Sequence, residues 1–221
     1  MVGERRGRSA EGRAEVRRDL VGAAVDLFTA QGYETTTVDE ITAAAGVARR
    51  TFFRYFRSKE DAVSPDHEAG MARVAEVFAD AHPAEPTAAL VLRAGETAFE
   101  LYTDDPALSV RRYALTHRVP LLRDRESACV DRYRRLFTRH LRARLRDDLR
   151  AAIAGAGIVA AHNVALREWL AAEGDPAGIT AMIGRFREVA DLLPLDPGLA
   201  SVADRLEAVA ARLDGFQQGG A

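Results

Sequence analysis

The chain is predicted to be all-α, a small N-terminal group of short helices followed by a larger helical region, about nine to ten helices in total. Three observations carry this. Apolar residues recur at three- and four-residue spacings along nearly the whole length. Alanine, leucine and arginine dominate, and alternating Val/Ile/Thr segments bounded by turns are missing. Glycine and proline stand at helix-length intervals, where helices start and stop.

The first helix is expected over about 11–31, with Val16, Leu20, Ala24, Leu27 and Phe28 as its apolar stripe and Gly32 as its stop. A short second helix opens at Thr37-Val38-Asp39-Glu40, where hydroxyl and carboxylate can cap each other's backbone N–H, and it ends at Gly46. A third covers about 48–56. Ser58 is expected to cap a longer fourth helix that begins Lys59-Glu60-Asp61, its acids suiting the helix dipole. Pro83 and Pro86 mark a break, after which Thr87 is expected to cap a fifth helix that Asp104-Asp105-Pro106 ends. Pro120 interrupts the next stretch, and two long helices follow at about 122–146 and 148–173. After Gly174-Asp175-Pro176 comes a helix at about 177–193 with a core stripe of Ile179, Met182, Ile183, Phe186, Val189 and Leu193. A last helix is expected near 199–214, and 215–221 reads as a frayed tail.

The chemistry is concentrated between Gly32 and Glu60. Two short helices joined by a tight turn at Gly46 match a helix-turn-helix. Ala44 and Ala45 allow the helices to cross closely, and Phe52 and Phe56 pin the second one to the core. Arg49, Arg50, Thr51, Arg54 and Tyr55 are left on the outer face. Between Val47 and Lys59 there are five cations (Arg49, Arg50, Arg54, Arg57, Lys59) and no acid. A solvated face in a near-neutral chain mixes signs, whereas a single-signed helix suits a polyanion, and arginine can bridge guanine O6 and N7. The competing reading is a basic surface turn between packed helices.

This block resembles the TetR family of bacterial regulators. The shared pattern is Thr36-Thr37-Val38, Ala44-Ala45-Gly46-Val47, Thr51, Phe56 and Ser58-Lys59-Glu60. The resemblance implies a three-helix helix-turn-helix DNA-binding domain at 11–57 behind a flexible arm at 1–10. It also implies a helical ligand-binding and dimerisation domain at 58–214. The implied DNA-contacting set is Thr36, Thr37, Arg49, Arg50, Thr51, Phe53, Arg54, Tyr55 and Lys59. Within it, Thr37, the aromatic at 53 and Lys59 contact phosphates, and Arg49, Arg50 and Thr51 contact base edges. Two positions depart from the family: Phe53 stands where tyrosine is usual, and Tyr55 where histidine is common. Phe53 has no hydroxyl for a phosphate, so that contact is lost or passes to Tyr55 or Arg54. Arg49-Arg50 is bulkier than the family's common pair and implies a G-containing operator. Arg5, Arg6, Arg8 and Arg13 in the arm either add minor-groove contacts or belong to a disordered tail.

Bulk properties agree with a soluble, cytoplasmic protein without a membrane span. The 221 residues are 48% hydrophobic and 29% charged, and the formal charge of −2 excludes a uniformly basic coat but not a local basic face. Lys59 is the one lysine among 31 basic residues, which a GC-rich coding bias explains. One cysteine, Cys129, excludes an intrachain disulfide and a cysteine metal site. The N-terminus has no apolar signal segment, and the longest apolar or small run, 151–161, is too short to span a bilayer.

A sensor needs an internal pocket and a dimer interface. The stretch 113–137 mixes Tyr113, Tyr133 and Phe137 with Arg118, Arg123, Arg125, Arg132, Arg134 and Arg135. It reads either as an apolar stripe with solvated arginines or as the mouth of a pocket for a ligand with an apolar body and an anionic head. Candidate pocket residues are Phe99, Tyr102, Tyr113, His117, Leu121, Tyr133, Phe137, His162 and Trp169. The region loosely resembles family members that respond to long-chain acyl-CoA. By the same resemblance the helices at 148–173 and 177–193 form the dimer bundle, with Ile153, Val164, Ile179, Met182, Ile183 and Phe186 at the interface. The small-residue run 151–161 fits close helix approach there, or equally plain interior packing.

Other motifs are weak. Gly155-Ala156-Gly157-Ile158-Val159-Ala160 matches a dinucleotide string but lies in a helical run with no strand before it. His67, His82, His117, His140 and His162 lack metal-ligand spacing, and no nucleophile elbow is present, so neither a metal, a cofactor nor enzymatic activity is expected. The expected function is a ligand-responsive regulator, usually a repressor, with double-stranded DNA, a small-molecule effector and a second copy of itself as partners. The alternatives are a ligand-independent helical DNA-binding protein and an α-helical enzyme.

Overall fold

The computed structural model of the chain describes residues 9–190 together with 193 and 195. Its elements are α1 (Ala10–Gln31), α2 (Val38–Ala44), α3 (Arg49–Tyr55), α4 (Lys59–Val63), α5 (His67–Ala79), α6 (Thr87–Thr103), α7 (Pro106–Arg118), α8 (Pro120–Leu145) and α9 (Asp148–Ala171). A 3₁₀ turn (Pro176–Gly178) then leads into α10 (Ile179–Ala190). No strand occurs among the described residues. The helix expected near 199–214, the tail, and residues 1–8 of the arm lie outside them.

The N-terminal elements follow their sequence signals closely. Ser9 Oγ accepts from the Gly12 amide at 3.0 Å to start α1, and Gly32 stops it with φ of 93°. The capping box at α2 is complete: Thr37 Oγ1 accepts from Glu40 N, and Glu40 Oε2 accepts from Thr37 N at 2.8 Å. Gly46 turns the chain at φ of 65°, a conformation that costs residues with a Cβ. Seven-residue α3 is too short to be stable alone, so it depends on burial of Phe52 and Phe56, each worth about 1.5–3 kcal/mol.

Three elements differ from expectation. The long fourth helix is two helices, because Pro65 bars Ser64 from helical backbone and forces a break before Asp66 caps α5. Ser58 occupies the N-cap of α4 without a capping hydrogen bond from its side chain. Thr87 is the first residue of α6 rather than its cap, with Pro86 in the capping position.

Two apolar cores result. The smaller unites Val16, Leu20, Ile41, Phe52, Phe56 and Val63, and it also takes in Leu115 of α7 and Leu122 of α8. The larger gathers Val91, Phe99, Phe137, Leu141, Ile158, Trp169 and Phe186 from α6, α8, α9 and α10. Gly155 lets α9 press against α8, where a Cβ would come within 3.0 Å of the Thr138 amide, so this glycine serves packing and no nucleotide. By length and composition α9 could cross a membrane, yet Ile158, Val159, Leu166, Trp169 and others along it are buried in the core. Three ion pairs tie the N-terminal head to the body: Arg17–Asp66 at 3.0 Å, Arg111–Asp26 and Arg125–Asp61.

A candidate nucleic-acid interface and an internal cavity

Helix α3 turns one side inward and one outward. Phe52 is fully buried, whereas Arg49, Arg50, Phe53, Arg54 and Arg57 are exposed, and Thr51 and Tyr55 are half-buried. Exposed Thr37 lies at the start of α2. The predicted outer face is therefore assembled on one surface, with a nuance that linear sequence hides. Asp39 of α2 lies beside it and pairs with Arg49 at 2.5 Å, both exposed. The Arg49 guanidinium also sits over the Phe53 ring at 5.5 Å, and Arg54 over Tyr55 at 5.1 Å. The aromatics thus restrain the arginine heads on this face.

Two members of the predicted contact set are placed differently. Thr36 is 1% exposed, donating its hydroxyl to Gly32 O at 2.8 Å, so it shapes the α1–α2 loop and cannot reach a duplex. Lys59 is half-buried and donates to the carbonyls of Tyr33 (2.7 Å) and Thr36 (3.0 Å), with its ammonium 4.1 Å from the Tyr33 ring centre. It clasps α4 to the loop before α2. Tyr33 in turn donates to Glu60, and burial with that acceptor pushes the phenol far above its ordinary range.

In the body, α6–α9 enclose a cavity of about 320 Å³ lined by Tyr102, Ser109, Arg112, Tyr113, Thr116, His117, Arg123, Glu126, Ser127, Val130, Asn163, Leu166, Arg167 and Leu170, with Pro65 at one edge. A smaller space of about 30 Å³ adjoins it and shares Tyr102, Glu126, Val130 and Asn163; His67, Gly95, Ala98, Tyr133, Phe137, Ile158, Val159 and His162 complete its wall. Six of the nine predicted pocket residues thus border one of these spaces. The other three do not. Leu121 is exposed at the start of α8, while its neighbour Leu122 turns into the head core. Trp169 is buried with its indole N–H donated to Asp175 O at 2.9 Å, and Phe99 backs the His162 ring at 3.9 Å from within the core.

Sequence reasoning missed Glu126 and Arg112, both on the cavity wall. Buried His67 at the start of α5 meets Glu126 through Nε2 at 3.1 Å, and Tyr102 donates to the other carboxylate oxygen at 3.3 Å. Burial opposes the charge on His67, but the Cys129 sulfur and the Glu126 carboxylate outweigh it and raise the ring to about 9. Burial likewise works against ionised Glu126, and the His67 hydrogen bond and charge overcome it, leaving the carboxyl below its ordinary value. At His162 the balance is reversed: burial outweighs the Asn163 hydrogen bond and the Glu126 charge and pushes the ring down to about 4. Arg112 is half-buried and its Nε has no hydrogen-bond partner. Burial first, and then the charge of Arg17, bring it down to about 10. The arginines of 113–137 are mostly engaged: Arg125 with Asp61, Arg132 with Glu68, Arg134 and Arg135 with Asp131, and Arg123 with His117 O.

Among the predicted interface residues, Ile153 is 55% exposed and Val164 45% exposed. With Leu149, Ala156 and Ala160 they form an outward apolar stripe on α9. Met182 and Phe186 instead face inward, Phe186 lying edge-on to Phe99 and over Gly95, so a partner has nothing left to bury there. Ile179 and Ile183 are half-buried against the same core.

A cationic helix displayed on a helix-turn-helix frame and joined to a helical body with an internal cavity defines a DNA-binding transcriptional regulator. The model of bacterial regulatory proteins of the tetR family matches residues 20–63, the whole of that frame. The HTH-type transcriptional regulator TcmR of Streptomyces glaucescens is 35% identical over 168 residues, 69% of this chain and 72% of that protein. The chain belongs to the TetR family of bacterial transcriptional regulators, and it is a regulator rather than an enzyme. Its fold is similar to that of a TetR-family transcriptional regulator from Syntrophomonas wolfei (TM-score 0.63, 17% identity, 84% of this chain and 97% of that one). It is also similar to FadR of Bacillus subtilis in complex with stearoyl-CoA (TM-score 0.56, 18% identity, 80% and 96%).

Proposed function

We propose that the protein is a homodimeric repressor, released from a palindromic operator by a small amphipathic effector that enters the α6–α9 cavity. The observation that carries this reading is that the cavity and the reading head share walls. Helices α7 and α8 line the cavity with Tyr113, Arg123 and Glu126, and the same helices close the head core with Leu115 and Leu122. A ligand that repositions α7 or α8 therefore acts on the head directly. A ligand-independent DNA-binding protein has no need of such a space, and the volume, about 320 Å³, lies at the lower end of small-molecule sites, roughly 300–1,000 Å³.

Arg49, Arg50 and Thr51 read base edges in this proposal, and Thr37, Arg54 and Tyr55 hold phosphates. The α9 stripe of Leu149, Ile153 and Val164 supports a two-fold pairing that sets two heads about 34–36 Å apart, or further on a larger operator. A long-chain acyl-CoA is the particular effector we favour, since the fold of Bacillus subtilis FadR houses stearoyl-CoA and this cavity combines apolar walls with arginines. The test begins with selection of operator DNA from a random pool, followed by an Arg49→Ala/Arg50→Ala double variant. That variant is expected to lose roughly 10–100-fold in operator affinity if bidentate base contacts are removed. Unchanged binding would refute the assignment of the head. Stearoyl-CoA is then titrated into the protein–operator complex, where release is expected and calorimetric silence removes this effector.

A further inference from the structure

We infer that Arg112 is the receptor for an organic anion in the cavity and that Arg17 relays its occupancy to the recognition helix. This rests on the proposed ligand-released regulator and specifies how its ligand is held: an apolar body whose anionic group, a carboxylate, a sulfonate or one phosphate of an acyl-CoA, meets a single guanidinium. Arg112 projects from α7 into the cavity wall, half-buried, its Nε lacking any hydrogen-bond partner. The acids whose charge it senses are already engaged. Asp105 caps α7 by accepting from Leu108 N at 3.0 Å, and Asp66 is paired with Arg17. The cavity's one carboxylate, Glu126, is held by His67 and Tyr102. A partly desolvated guanidinium whose neighbouring acids are bonded elsewhere is costly, and an entering anion supplies the hydrogen-bond partner its Nε lacks in a setting where charge-assisted bonds are strong.

Arg17 makes that event visible to the head. It stands on α1, feels the charge of Arg112, pairs with Asp66 at the start of α5, and lies 5.4 Å over the ring of Phe56. Phe56 is the buried residue that ends α3. The like charges of Arg17 and Arg112 repel, which favours the observed contacts of Arg17 with Asp66 and Phe56. An anion on Arg112 cancels the repulsion and draws Arg17 toward the cavity. The clamp on the end of α3 then loosens.

The test uses the full chain and two fluorescent probes, 8-anilinonaphthalene-1-sulfonate and its uncharged counterpart N-phenyl-1-naphthylamine. The wild type is expected to prefer the sulfonate by about tenfold or more, as one charge-assisted contact allows. Arg112→Met should abolish that preference while leaving the neutral probe's affinity unchanged, and Arg112→Lys should restore part of it. Should the methionine variant misfold, Arg112→Gln makes the same comparison. Preference retained without the charge, or no sulfonate binding by the wild type, overturns the receptor. Selected operator DNA should weaken sulfonate binding in the wild type by a factor within about 5–150, and by less than about twofold in Arg17→Met. Equal coupling in both proteins overturns the relay. Absence of coupling in the wild type overturns the proposed release and the relay together, while the probe comparison still decides the receptor.

Discussion

Replacing Glu126 by glutamine should change how stability depends on pH. His67 and Glu126 meet at 3.1 Å, with His67 only 6% exposed. The ring's value is raised from 6.5 to about 9 in the folded chain. Between those limits the folded state holds a proton that the unfolded state has lost, so stability falls as pH rises from about 6.5 to 9. At ~1.36 kcal/mol per pKa unit the loss is about 3 kcal/mol per protomer. His162 carries the opposite sign. Lowered to about 4, it makes the unfolded state the better proton binder between pH 4 and 6.5, so stability falls on acidification through that window. The two histidines bracket a maximum near pH 6.5. Urea unfolding at fixed protomer concentration measures this, and with m of ~1–3 kcal/mol/M the midpoint should drop by about 1 M or more between pH 6.5 and 9.5. In Glu126→Gln burial and the Cys129 sulfur still act on His67 but the carboxylate charge is gone, so the alkaline decline should become shallower while the acid one remains. An identical alkaline slope in variant and wild type would show that the pair does not hold the proton, and a flat wild-type profile would refute the argument outright.

Lys59→Met separates two roles for the single lysine. Loss of its bonds to the Tyr33 and Thr36 carbonyls should lower stability by about 2 kcal/mol in thermal unfolding and weaken all DNA sequences alike. An unchanged melting temperature with a salt slope reduced by about one would assign it to phosphate instead. Ile153→Glu places a charge in the middle of the outward α9 stripe and should cost dimerisation about 2–4 kcal/mol, read by sedimentation equilibrium. Because this position is exposed in the protomer, helical content should be preserved, and an unaltered dimer would exclude α9 as the interface.

The head was legible because its information is local. The Thr37–Glu40 capping box, Gly46 and the Phe52–Phe56 spacing each act within four residues, and each is found as expected. What was not legible depends on contacts across the sequence. His67 and Glu126 are 59 positions apart, and Arg125 and Asp61 are 64 apart. A stripe of arginines looks the same whether it faces solvent, as Arg135 does, or reaches across to another helix, as Arg125 does. The inward stripe of α10 posed a related ambiguity. Helical period identifies an apolar face, but whether Phe186 meets its own α6 or a second copy depends on where α10 docks. The Pro65 break, by contrast, was in plain view and outweighed by the attractive acidic start at Lys59-Glu60-Asp61.

A boundary drawn at residue 57 or 58 divides the sequence more sharply than it divides the forces. The head core is sealed by Leu115 and Leu122, only 4% and 3% exposed, from helices that belong to the body. Around that seal, Arg17–Asp66, Arg111–Asp26 and Arg125–Asp61 connect α1 and α4 to α5, α7 and α8. Exposed or half-exposed ion pairs of this kind are each worth only about 0–1 kcal/mol, whereas the apolar seal contributes several times that. The seal therefore holds the head on the body, and the ion pairs choose among its orientations. A ligand need not break the seal to act. Coupling of about 1–3 kcal/mol is ordinary for allosteric release, and exchanging one or two of these weak pairs is enough to supply it. In the proposed dimer, strong apolar docking with weak, exchangeable polar ties is thus the arrangement by which a ligand in a small cavity would redirect two distant reading helices without unfolding anything between them.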